Sequence, residues 1–148
     1  MKLAAFELRR AALPLVSPFR TSFGTESTRD ALLVRALSDE VEGWGECVAG
    51  SAPLYSAEHV DGATEVIRRF LAPRLFAAGA VPAEEVAHVL ASVKGHPMAK
   101  AAVETAILDA ELRAEGRSLA AYLGAVRPTV ECGVSVGIQP SIGALLDT

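Results

Sequence analysis

Apolar positions recur every second residue in the first third of the chain and every third or fourth in the middle, so strands are predicted first and helices after them. Leu3 to Val16 interleaves apolar and charged residues as a strand does, with Pro14 suiting an edge or a strand end. Ser17 to Glu26 is polar and contains glycine, which predicts a loop. A second strand is expected from about Thr28 to Leu37, and Ser38-Asp39-Glu40 supplies turn chemistry. From Val41 to Val48 the chain alternates Val41, Gly43, Gly45 and Cys47 on one face with Glu42, Trp44, Glu46 and Val48 on the other. Three successive strands with short connections predict an antiparallel meander.

After residue 55 the period changes. Ser56 is the expected N-cap of a first helix, Glu58 favours its positive end, and Val60, Ala63, Ile67, Phe70 and Leu71 form its buried stripe. Pro73 is expected to end or kink that helix. A second helix is bounded by Pro82, Glu84 and Glu85 at its start and Lys94-Gly95 at its end, with Val86, Val89, Leu90 and Val93 facing inward. A third, from about Met98 to Glu115, carries alanine at 99, 101, 102, 106, 110 and 114, which permits close approach of another element. It breaks at Gly116 and a short apolar turn follows to Gly124. The order of elements describes an α+β domain over residues 1–126. Residues 127–148 change character: VECGVSVGIQPS reads as a buried strand leading to a helix start at Ser141. A strand followed by the start of a crossover helix needs a second strand beside it, so the sequence reads as the front part of a larger fold.

Composition narrows the function classes. A hydrophobic fraction of 51% can fill a core, and a net charge of −4 argues against a nucleic-acid partner. Arg68 and Arg69 beside Glu65 read as a solvated helix face. Cys47 and Cys132 match no metal spacing and are expected to be buried free thiols. The amino terminus, with Glu7 inside a short apolar run, does not read as a signal peptide, and no run approaches the ~20 apolar residues of a membrane helix. The expectation is a soluble cytoplasmic protein.

Candidate chemistry is thin. His59, His88 and His96 share no ligand spacing. Lys100 and Glu104 stand at i, i+4 and are expected to pair, while Glu104 and Asp109 do not share a face. No phosphate loop, nucleophile elbow or Cys/His cluster is present. Two loops stand out. PFRTSFG at 18–24 and AGSAPLY at 49–55 place aromatic residues beside glycine, the composition of lids that exclude water from a ligand. The alternative is that these aromatics fold back onto their own domain.

GWGECV at 43–48, PLYS at 53–56, MAKAAVETAILDAELRAEGRSLAAYLG at 98–124 and CGVSVGI at 132–138 resemble the enolase superfamily, and within it the o-succinylbenzoate synthase / N-acylamino acid racemase branch. The resemblance implies an α+β capping domain packed over a modified (β/α) barrel, of which this chain holds the cap and the first barrel strand. It implies proton abstraction next to a carboxylate, assisted by Mg²⁺ and a lysine base in the complete enzyme. That enzyme would act on a small carboxylate substrate and form a homo-oligomer.

The family's catalytic lysines and metal ligands belong to later barrel strands, so no catalytic or metal-binding residue is assigned here and the chain alone is expected to be inactive. What carries over is the substrate-facing wall: Phe19 and Phe23 on the first loop, Leu54 and Tyr55 on the second, and Ser135 at the end of the first barrel strand. Gly50 stands where relatives often carry a larger residue. The competing reading is a non-catalytic capping or small-acid-binding module that works with a separate barrel chain.

Overall fold

Three antiparallel strands form a sheet in the order β1-β2-β3, as the alternating pattern requires. They are β1 (Ala5–Thr21), β2 (Gly24–Leu37) and β3 (Glu42–Cys47) in a computed structural model that describes residues 2–22 and 24–147. The segment expected to be a loop, Ser17 to Glu26, is instead mostly strand. Beyond an irregularity between Pro14 and Phe19, β1 resumes pairing with β2 at Phe19↔Glu26 and closes at Thr21↔Gly24. Polar residues suit this extension because it projects past the core, where both faces meet water. Pro14 does not end the strand. It stands on the edge strand next to the irregularity, where its missing N–H costs little.

The inner face of the sheet carries Leu32, Val34 and Ala36 from β2 and Gly43, Gly45 and Cys47 from β3, all buried, in the alternation expected from sequence. On the outer face the guanidinium groups of Arg9 and Arg35 lie over the Trp44 ring, 5.4 and 5.5 Å from its centroid. Arg35 also bridges Glu7 and Glu42, which holds both carboxyls below their ordinary range. Arg10 does the same for Asp30 and reaches Asp61, tying the sheet to the first helix.

That helix begins at Val60, later than expected. His59 is its N-cap residue, and Ser56 donates its hydroxyl to the Glu58 carbonyl at 3.0 Å rather than capping. From α1 (Val60–Val66) the chain continues through a wide π-helical turn, Ile67–Leu71, into α2 (Ala72–Ala78). Pro73 neither ends the helix nor needs a sharp kink. The Ala72 N–H donates to the Ile67 carbonyl, and the wide turn takes up the donor that proline lacks. Arg74 Nη1 donates to the Phe70 carbonyl at 2.8 Å. The same turn rotates Phe70 off the buried stripe: it is 42% exposed, whereas Ile67 and Leu71 are fully buried.

Helix α3 (Ala83–Val89) starts after Pro82 as expected but stops short of Lys94, and only turns follow to Ser92. Helix α4 (Pro97–Glu115) crosses the inner face of the sheet and ends at Gly116, which takes a left-handed φ of 61°. Ala99, Ala102, Ala106 and Ala110 are buried against β3, and the two glycines of GWG explain how close the helix comes. A Cβ added at Gly43 would lie 2.2 Å from Ala110 N, and one at Gly45 would lie 2.1 Å from Ala102 O. Asp109 fixes the same contact by accepting from the Trp44 N–H at 2.8 Å. Lys100 does not pair with Glu104 but donates to the Val93 carbonyl.

Two helix starts are capped by carboxylates from distant elements. Glu58, the one buried charged residue among those described, accepts from Met98 N at 2.8 Å and Ala99 N at 3.0 Å. It therefore serves the positive end of α4, not that of α1. Glu111 accepts from Ala83 N at 3.0 Å at the start of α3. In both cases the negative charge meets unsatisfied N–H groups and the favourable end of the dipole.

Beyond α5 (Leu119–Tyr122) the chain departs from the layered part. Residues 130–139, expected as a buried strand, hold no ladder here and are largely exposed, since none of the described strands pairs along them. Cys132 is accordingly exposed rather than buried, while burial on the inner sheet face pushes the Cys47 thiol up from its ordinary value. The helix start at Ser141 does form: α6 (Ile142–Leu146) follows, with Ser141 Oγ accepting from Ala144 N at 3.2 Å. Among the described residues no helix is long and apolar enough to cross a membrane.

Candidate functional site

The tip of the β1–β2 hairpin and the loop from Val48 to Ser56 face one another across an open groove of about 780 Å³, a size that suits a small organic ligand. The groove exists because each wall is held from behind. On one side, the pairs Phe19↔Glu26 and Thr21↔Gly24 stiffen the hairpin tip. On the other, the Gly50 carbonyl accepts from Val60 N at 2.9 Å, and Leu54 N donates to Ala52 O at 2.9 Å. Glu58 fastens the end of this loop to α4, and Met98 joins the groove lining from that helix.

The two walls differ in chemistry. Phe19, Val48, Leu54, Tyr55 and Met98 are apolar, whereas Thr25 to Arg29 on β2 are polar. Leu54 is 71% exposed, Tyr55 83% and Phe19 38%. The second-loop side chains stand out from the domain, so the alternative that they fold back onto their own core fails for them. Phe23 lies outside the described residues.

Ser135 does not join these residues. It is exposed on the segment without regular structure and does not line the groove. Its neighbours nevertheless approach the hairpin tip: Ile138 N donates to the Arg20 carbonyl at 2.9 Å. A Cβ added at Gly137 would lie 3.1 Å from Phe19 Cδ2.

Sequence reasoning missed Met98 and the polar wall from Thr25 to Arg29, which had been divided between a loop and a strand. The polar run before the first buried residue of β2 was the available signal. Glu58 was noticed but given to the wrong helix, since nothing in local spacing reveals a cap made across forty residues of chain.

Among the groove's described lining residues no acid–base groups are clustered. Among the described residues no three His, Cys, Asp or Glu side chains come together as metal ligands. The groove's own carboxylate, Glu26, faces Arg29, and both oxygens of nearby Glu58 accept backbone N–H groups. This donor set does not fit a divalent cation. His88 is exposed, His96 precedes α4 with a left-handed φ of 58°, and His59 precedes α1.

The groove thus has one apolar and one polar wall, carried by two separate loops. The sequence profile of the mandelate racemase / muconate lactonizing enzyme N-terminal domain matches residues 5–124, and the chain belongs to that family. It is 58% identical over 147 residues to an N-succinylamino acid racemase of Amycolatopsis, matching 99% of this chain and 40% of that protein. It is 40% identical over 140 residues to an o-succinylbenzoate synthase of Geobacillus kaustophilus, matching 94% of this chain and 37% of that one. A solved enolase-superfamily structure from Listeria innocua superposes with a TM-score of 0.91 at 35% identity, over 99% of this chain and 40% of that chain. The enolase-superfamily resemblance and the α+β capping fold are thereby borne out. The chain spans about 40% of the length of these relatives and corresponds to their N-terminal part.

Proposed function

We propose that this chain covers the active site of an enzyme of the o-succinylbenzoate synthase / N-succinylamino acid racemase type and selects its substrate, while the chemistry resides on a barrel. One observation carries the reading: two loops from separate elements bring Phe19, Leu54 and Tyr55 together at one open groove. Phe19, Phe23, Leu54 and Tyr55 form the apolar wall toward the substrate's acyl chain, and Ser135 reaches the site once its segment pairs within a barrel. Any Mg²⁺ and lysine base would be held by the barrel, where they would supply charge stabilisation and proton abstraction. The division between cap and barrel stands near Val126, with residues 127–148 opening the barrel.

Exposed side chains support the need for such a partner. Leu119, Leu123, Val126, Val130, Val134, Ile142 and Leu146 are more than half exposed. So concentrated an apolar surface fits coverage by another layer of protein.

The test is a hybrid in which this chain replaces the matching 40% of the Amycolatopsis racemase. The hybrid should racemise N-succinylamino acids, read as exchange of the α-proton in deuterated water. Phe19→Ala in the hybrid should raise KM several-fold at constant thermal stability, because the side chain meets ligand and not core. A folded hybrid without exchange would sink the reading.

A further inference from the structure

Of the groove's described lining residues only Glu26 and Arg29 carry charge. The sheet's arginines that face a carboxylate differ in how far they are satisfied. Arg10 is shared between Asp30 and Asp61, and Arg35 between Glu7 and Glu42, all within hydrogen-bond reach. Arg9 takes Glu7 at 2.8 Å and lies over Trp44. Arg29 makes only longer contacts: its Nη2 donates to the Val48 carbonyl at 3.3 Å, and its Nη1 stands 3.6 Å from Glu26. A guanidinium has five donors, so most of this fork remains open to a planar anion. The carbonyl contact aims the fork between the hairpin and the second loop, beside the apolar wall, while 37% of the side chain stays accessible.

We infer that Arg29 is the groove's receptor for a second, distal carboxylate, making the cap selective for dianionic acyl substrates over monoanionic ones. The inference rests on the proposed capping role and adds a specificity-determining residue to it. A carboxylate entering beside Phe19 and Tyr55 would take two parallel N–H donors from Arg29 and displace the loosely held Glu26. A neutral acyl chain would gain only the apolar wall. Arg29 touches no reacting bond, so its effect belongs in KM and not in kcat.

The hybrid described above decides the matter with two substrates, the N-succinyl and N-acetyl derivatives of one amino acid. Arg29→Gln should raise KM for the N-succinyl compound about tenfold, the scale of one charge-assisted pair, with kcat and the N-acetyl KM unchanged. Arg29→Lys, which keeps the charge but loses the fork, should recover part of the difference. Equal losses on both substrates would show that Arg29 only braces the second loop, and no change on either would show that it is idle. Either result overturns the inference while leaving the capping role intact. A folded unsubstituted hybrid that turns over neither compound overturns the capping role, and the inference falls with it.

Discussion

Replacing Gly43 by alanine should damage this fold far more than one methyl group suggests. The added Cβ would meet Ala110 N at 2.2 Å, Ala106 O at 2.3 Å and Ala110 Cα at 2.8 Å, all backbone atoms of α4. Non-bonded carbon settles at about 3.5 Å, so the helix or the strand must retreat by roughly 1.3 Å from the 2.2 Å starting point. No rotamer change relieves the clash. The retreat would loosen the buried row Ala99, Ala102, Ala106 and Ala110 and stretch the bond from Trp44 N to Asp109. Overpacking of a well-filled core costs about 1–3 kcal/mol, and a clash confined to backbone belongs at the upper end. For a chain of 148 residues that corresponds to a fall in Tm of roughly 10 °C. The control is Gly50→Ala, whose Cβ would meet only Ala52 O at an ordinary 3.7 Å and should shift Tm by less than about 1 °C. Thermal and urea unfolding of both variants, followed by circular dichroism, makes the comparison. A Gly43→Ala protein within about 0.5 kcal/mol of the parent would refute the claim that helix and sheet pack backbone to backbone.

Two further outcomes are expected. Glu58→Ala leaves the Met98 and Ala99 N–H groups without their acceptor and should lower unfolding free energy by about 2 kcal/mol, with Glu58→Gln losing less. Equal stability of the alanine variant and the parent would show that water serves those donors as well. Acid should weaken the outer face of the sheet. Arg35 lowers the carboxyl pKa of Glu7 and Glu42 from 4.5, so their contribution is complete above about pH 4.5 and is lost as pH falls through the lowered folded values. Arg35→Met should therefore flatten the decline of the urea midpoint below pH 4.5, and an unchanged slope would contradict the assignment.

The strands and the packing face of α4 were legible because period and composition agree there. The alternation at Val41 to Val48 set Val41, Gly43, Gly45 and Cys47 on one face, the last three of which are buried, and the alanine row of α4 announced a close neighbour. The hairpin tip was misread as a loop because its residues are polar for a different reason: they project beyond the core yet still pair. Pro73 misled because a wide turn can supply what proline withholds, and local spacing does not show which neighbouring bond will shift. The apolar half of the groove could be foreseen from aromatic residues beside glycine. Its polar half could not, since Arg29 gains meaning only when β2 brings it opposite Val48. Ser135 needs a neighbouring strand to be positioned, so its place was legible through resemblance and not through this chain's own contacts.

The buried core begins at Leu3 and is complete by Leu112. During synthesis the amino-terminal layers can therefore close on themselves as they leave the ribosome, ahead of everything after Gly116. The largely exposed apolar residues from Leu119 to Leu146 emerge next, and the described core is already closed without them. For that interval the nascent protein is a folded body trailing a sticky tether.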